Sequence, residues 1–161
     1  MKTKKTIKIL AHGIDPDGII SHSLLKRFHF PNSSIEHYYL DYPDLFSKLE
    51  ELSETRSESS LVYVADLGLD QKIVDNQEIL GKIKRKNSQF VWIDHHKGSF
   101  DNIDLIEENC FPYFLEKRYC TSKIIQNIYL NDIMDPYANL LADIAQAHDF
   151  EIQGESYQKG V

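Results

Sequence analysis

The chain has little of what marks secreted, fibrous or membrane-spanning proteins. Two cysteines, Cys110 and Cys120, stand in 161 residues. They lack close metal-ligand spacing and are too few for a disulfide framework, so they are expected as reduced, semi-buried thiols of a cytoplasmic protein. No apolar run approaches the roughly 20 residues that cross a bilayer. The start, Met1-Lys2-Thr3-Lys4-Lys5-Thr6, is basic like the head of a signal peptide. The apolar run behind it ends at Ala11 and contains Lys8, which is too short for a signal core. Positive charge is scarce too: 18 Lys and Arg stand against 25 Asp and Glu, a net charge of −7. Such a chain offers duplex nucleic acid no basic face, and strong duplex binding is not expected. A small phosphorylated ligand stays open, because bound cations reverse a local field. There is no internal repeat, no low-complexity tract and no dinucleotide-binding glycine pattern.

What is present reads as one ordinary globular domain over 1–161. Apolar residues make up 42% and charged residues 27%, enough for a core and typical of globular usage. Strands are expected at 6–11, 35–40, 61–65 and 90–93, with a further short one at 103–106. Between them, helical spacing runs through Ile20, Leu24, Leu25 and Phe28, through Leu45, Phe46, Leu49 and Leu52, and across 70–86. Residues 53–60 read as a polar loop. Pro43 suits a first helical turn. The basic end of the third helix, Lys82-Ile83-Lys84-Arg85-Lys86, suits a solvated C-terminal turn at the negative pole of the helix dipole. Thr121-Ser122 suits a helix cap. Asp135-Pro136 opens a last helix that ends near His148-Asp149-Phe150. Alternating strands and helices imply βαβ units: an α/β fold with a parallel sheet of about five strands and helices on both faces.

The most informative stretch is Phe90-Val91-Trp92-Ile93-Asp94-His95-His96. Four apolar residues suit a strand buried on both faces. A carboxylate and two imidazoles follow, and unpaired polar groups in a core cost roughly 2–7 kcal/mol. The triplet is therefore expected just past the strand, at the sheet edge where open α/β proteins bind ligands. The first strand runs into His12-Gly13-Ile14-Asp15-Pro16-Asp17-Gly18 and the third ends at Asp66, so parallel strands would bring these groups to one edge. Each has a plainer reading alone. Asp15-Pro16-Asp17-Gly18 is good turn chemistry, Asp66 could cap a helix, and His12 could be a packed core histidine. Together, crowded carboxylates repel and raise one another's pKa, a penalty that divalent cations remove. A metal pair can clamp a phosphate and activate a water for in-line attack. Asp143, six residues before Asp149, falls on another helix face and reads as solvent-facing or structural.

Four motifs in order resemble the DHH phosphoesterase superfamily, which includes RecJ-type exonucleases, nanoRNases, cyclic-dinucleotide phosphodiesterases and family II pyrophosphatases. They are His12…Asp15-Pro16-Asp17-Gly18, Val64-Ala65-Asp66, Asp94-His95-His96, and Leu141-Ala142-Asp143-Ile144-Ala145-Gln146-Ala147-His148-Asp149. The resemblance implies a hydrolase with two manganese ions, with Mg2+, Co2+ or Zn2+ as other occupants. His12, Asp15 and Asp66 would hold one ion. Asp17, Asp66, His95 and Asp149 would hold the other. Asp94 would orient an imidazole and His96 would face the substrate phosphate. Two residues separate His12 from Asp15, where the commonest motif versions have one or three. The substrate would be a small nucleotide, a short oligonucleotide, pyrophosphate or polyphosphate. Superfamily hydrolases usually carry a second, C-terminal substrate-binding domain, and nothing in this sequence resembles it. An isolated domain that binds metal and phosphorylated ligand with little turnover is the alternative.

Overall fold

The computed structural model describes residues 6–55, 60–133 and 135–152. The basic segment 1–5, the polar tail 153–161 and residues 56–59 of the expected loop at 53–60 lie outside them; Ser53 and Glu54, expected in that loop, still belong to a helix.

Five strands form one sheet: β1 (Ile7–His12), β2 (Ile35–Leu40), β3 (Leu61–Ala65), β4 (Gln89–Asp94) and β5 (Tyr113–Leu115). All pair in parallel, in the order β2-β1-β3-β4-β5. The order reverses between β1 and β3, which leaves a crevice at their carboxyl ends, the usual ligand position in such sheets.

Helices cover both faces. On one side lie α1 (Pro16–Leu24), α7 (Thr121–Ile125) and α8 (Pro136–Ala147). Their Leu24, Ile124, Ile125, Ala138 and Ala142 pack on Ile9, Ala11, Ala65, Val91 and Ile93 of the sheet. On the other side lie α2 (Tyr42–Glu54), α3 (Gln71–Asp75), α4 (Glu78–Lys86) and α6 (Ile103–Asn109). Their Leu45, Leu49, Ile73, Leu80, Ile83 and Ile106 meet Leu10, Val62, Val64 and Trp92. Successive strand residues thus feed opposite cores, the period-2 signature of a strand covered twice. The short α5 (Lys97–Asp101) follows β4 directly. Single wide turns extend three helices, at Leu25–His29, Gln126–Leu130 and His148–Ile152. The result is a three-layer α/β/α fold.

Local chemistry sets the helix starts. Asp15, Asp41 and Asp135 cap α1, α2 and α8 with side-chain oxygens, and each is followed by a proline in the first turn. Two expectations need correction. The segment 103–106 is helical, with Ile106 buried and Ile103 exposed. Four residues, three of them apolar, cannot by themselves separate helix from strand, and the fifth strand is instead Tyr113–Leu115. The helix expected across 70–86 is two, broken at Asn76, whose φ of −123° and ψ of 39° leave the helical region.

Candidate metal centre

The carboxyl ends of β1, β3 and β4 carry the chemistry, and α1 and the end of α8 complete it. β4 keeps Asp94 as its last residue, fully buried, one position deeper than its sequence suggested. It is tolerated there because both oxygens are satisfied. Ser99 donates to Oδ2 at 2.6 Å, and His96 Nδ1 lies 2.7 Å from Oδ1. That contact aims the His96 ring.

Asp66 lies at the centre. It follows β3, is 0% exposed, and has a φ of +62°, the one positive value at a non-glycine residue among the described residues. Left-handed backbone costs about 1–3 kcal/mol and collects at functional sites. Here it turns the carboxylate into the crevice. Oδ1 accepts from the Thr121 hydroxyl at 3.1 Å and lies 3.3 Å from His95 Nε2. Oδ2 lies 3.8 Å from His12 Nδ1.

Two sets of donors flank it. His12 Nδ1 is 2.6 Å from Asp15 Oδ2, so the spacing between them still brings the pair together. Neither this approach nor that to Asp66 has hydrogen-bond geometry, and His12 Nδ1 and Asp66 Oδ2 are both buried without a hydrogen-bond partner. On the other side, His95 Nε2 lies 3.1 Å from Asp149 Oδ2 and 3.7 Å from Asp17 Oδ2. His12, Asp15 and Asp66 form one compact group of potential ligand atoms, and Asp17, His95 and Asp149 another; Asp66, His95 and His96 group between them.

The surroundings hold these side chains in place. Asp17 is buried in the first turn of α1 and accepts the Thr121 and Ser122 backbone N–H groups at 2.7 and 2.8 Å. Ser122 Oγ also donates to Asp17 O. α1 can approach β1 this closely because residue 18 is glycine: a Cβ there would sit 2.1 Å from His12 O. The Tyr42 ring packs edge-on against both His12 and His96, at centroid distances of 5.3 and 5.9 Å. Thr121 and Ser122, expected as a helix cap, instead form the first turn of α7 after Cys120 and turn their polar groups to the site; sequence reasoning passed over Ser99 and Tyr42. No local signal marks a contact across about a hundred residues. Asp143 stands outside the cluster, exposed and 2.6 Å from Lys123.

Electrostatics shows the strain of this crowding. Burial, and then the charge of Asp17, push the Asp66 carboxyl well above its ordinary range. Burial alone would lower both His95 and His96. Hydrogen bonding to Asp149 and the charge of Asp17 outweigh it at His95, and Asp94 outweighs it at His96, so both imidazoles are raised. Asp66, His95 and His96 are therefore biased toward their protonated forms. Five carboxylates, three imidazoles and two buried atoms without hydrogen bonds fit divalent cations, which replace such protons and satisfy the open lone pairs.

No family model matches the chain, and no curated protein sequence does. A solved structure with a similar fold is that of an uncharacterized protein from Helicobacter pylori G27. The TM-score is 0.65 at 22% identity, over 92% of this chain and 44% of that one. At this identity the likeness shows the fold. The chain spans less than half the length of that structure. Fold and residue set define a doubly wound α/β protein with a candidate divalent-metal centre at its switch point.

Proposed function

We propose that the chain is a metal-dependent phosphoesterase of the DHH type. It hydrolyses a phosphodiester, phosphomonoester or phosphoanhydride bond in a small nucleotide, a short oligonucleotide or a polyphosphate. The observation behind this reading is the double ligand set sharing Asp66, with His12 Nδ1 and Asp66 Oδ2 buried and without a hydrogen bond. His12, Asp15 and Asp66 hold one cation; Asp17, His95, Asp149 and again Asp66 hold the other. Mixed imidazole and carboxylate donors suit Mn2+, with Co2+, Zn2+ or Mg2+ as substitutes. Bound there, such ions supply a water of lowered pKa and neutralise phosphate charge.

The chain's own residues do the rest. Asp94 accepts from His96 Nδ1 and leaves Nε2 of that ring for a phosphate oxygen. His96 suits this role by position, because its side chain is 33% exposed while that of Asp66 is 1% exposed. Thr121 and Ser122 fix Asp17, so the deeper ligands need little rearrangement. Free, buried Cys110 and Cys120 agree with a cytoplasmic setting. No helix among the described residues is long and apolar enough to cross a membrane.

The test is manganese-dependent melting, followed by product release from bis-p-nitrophenyl phosphate, a dinucleotide, a nucleoside bisphosphate and pyrophosphate. Turnover of one substrate is expected, with loss above a thousandfold in Asp66→Asn and His95→Ala and a native circular-dichroism spectrum in both. Unchanged turnover in both variants would refute the assignment. A second reading is metal and ligand binding with little turnover. A melting shift and calorimetric nucleotide binding without product would select it.

A further inference from the structure

A cavity of about 580 Å³ opens away from the metal centre, between the end of α1, the loop after it and the edge strand β2. His37 of β2 pairs with Ile9, three residues below His12, and Ile35 pairs with Ile7. At about 3.3 Å per residue the cavity lies roughly 10–17 Å from the ligand edge, toward the amino ends of the strands.

Its lining is chemically one-sided. Lys26 and Arg27 contribute the charge, and neither has an ion-pair partner among the described residues, in a chain of net charge −7. The cavity lining includes no carboxylate. Glu36 of β2 pairs instead with Lys8, on the opposite pleat from His37. His37 Nδ1 is 2.8 Å from His22 Nε2, and Tyr39 OH is 2.9 Å from His22 Nδ1. This relay occupies Nδ1 of His37 and leaves Nε2 free. Burial, then the charges of His37 and Lys26, lower His22, and burial, then Lys26, lower His37.

The remaining walls are apolar, including Phe28, Phe30 and Leu141. The cations sit in the wide turn Leu25–His29, a helical distortion frequent at functional sites. These two cations balance the charge of about −1.5 to −2 on a phosphate monoester. Aromatic and aliphatic walls suit a flat ring, and the volume falls in the range of about 300–1,000 Å³ usual for small-ligand sites.

We infer that this cavity is a second ligand site, for a nucleoside monophosphate whose phosphate meets Lys26 and Arg27 and whose base lies against the aromatic wall. It is independent of the metal centre, and its failure would leave the phosphoesterase reading untouched.

The experiment is a nuclear magnetic resonance titration of the EDTA-treated full chain with AMP, so that no cation at the metal edge can hold the phosphate. Saturable shifts are expected in the amides of residues 23–37. Lys26→Ala/Arg27→Ala, both exposed positions, should weaken binding at least tenfold while leaving the manganese melting shift unchanged. Adenosine and inorganic phosphate should each bind at least tenfold more weakly than AMP. Four results would overturn the inference. They are shifts confined to residues 12–17, 66 and 94–96, undiminished affinity in the double variant, inorganic phosphate binding as well as AMP, and no binding at millimolar AMP. An oligonucleotide binding tenfold more tightly than AMP would also reject the small-molecule occupant.

Discussion

Replacing Asp66 by Asn should stabilise the metal-free protein and abolish its response to metal. Asn tolerates the left-handed backbone about as well as Asp. Its Oδ1 still accepts from Thr121, which donates to Asp66 at 3.1 Å. The charge is what changes. Asp66 Oδ1 and Asp17 Oδ2 lie 3.3 and 3.7 Å from the same atom, His95 Nε2. Two carboxylates that share one imidazole nitrogen repel, by about 3 kcal/mol for charges about 5 Å apart at an effective dielectric of 20, and the neighbouring imidazoles offset part of this. Removing the buried charge therefore gains about 1–3 kcal/mol without metal, or roughly 2–10 °C in Tm for a domain of this size. With manganese the order reverses. A ligand at a hundred times its Kd stabilises by about 2.7 kcal/mol per site, and the asparagine amide offers no shared oxyanion to either ligand set. Calorimetric scans at pH 8 should put the variant above the wild type in EDTA and below it in manganese. If the variant melts lower in EDTA, the carboxylate is structural and the strain argument fails. If manganese raises both proteins equally, Asp66 is not a ligand.

Three further outcomes follow from the same geometry. Thr121→Val keeps the backbone N–H to Asp17 and deletes the hydroxyl on Asp66; it should cost about 1 kcal/mol of stability and 10- to 100-fold in manganese affinity, and unchanged affinity in a metal titration would refute the positioning role. Burial, then the positive charges of His37 and Lys26, hold His22 at about 4 when folded, against 6.5 for an unperturbed histidine. Its contribution is therefore complete above about pH 6.5 and is lost as pH falls toward 4, on the order of 2 kcal/mol after allowing for solvent screening. His22→Gln should flatten that part of the Tm–pH curve, and an unaltered acid slope would exclude it. Gly18→Ala drives a Cβ to 2.1 Å from the His12 carbonyl and 2.6 Å from its Cβ; a loss of about 3 kcal/mol or more is expected, and a urea midpoint within experimental error of the wild type would show that α1 can retreat from β1.

How much of this was legible beforehand depends on whether the signal was local. Phe90-Val91-Trp92-Ile93 announces a doubly covered strand because four adjacent apolar residues have no solvent face. Asp-Pro pairs announce α1 and α8 because capping and the fixed proline φ act within one turn. Parallel alternation then places His12, Asp66 and the Asp94-His95-His96 triplet on one edge by topology alone. The misread segments were those where local signals tie. Residues 103–106 suit either helix or strand, and the break at Asn76 interrupts a continuous amphipathic pattern without a proline or glycine to mark it.

What sequence could not show is the support beneath the site. Asp17 is fixed by backbone amides 104 and 105 residues away. Any residue but proline offers such an amide, so the identity of Thr121 and Ser122 carries no trace of that contact. The Thr121 hydroxyl on Asp66 and the Ser99 hydroxyl on Asp94 are equally silent, because the same residue types cap helices and line turns everywhere. The consequence concerns specificity of fold as much as catalysis. Without metal, Asp17 and Asp94 each accept two hydrogen bonds, while Asp66 Oδ2 and His12 Nδ1 keep none. The supporting carboxylates are satisfied by the protein, and the central pair is left for something the protein does not supply. A structural ion-pair network buried this deeply would leave no such atom without a hydrogen bond. Those two open atoms, more than the count of acidic residues, argue that the edge is built to bind a cation.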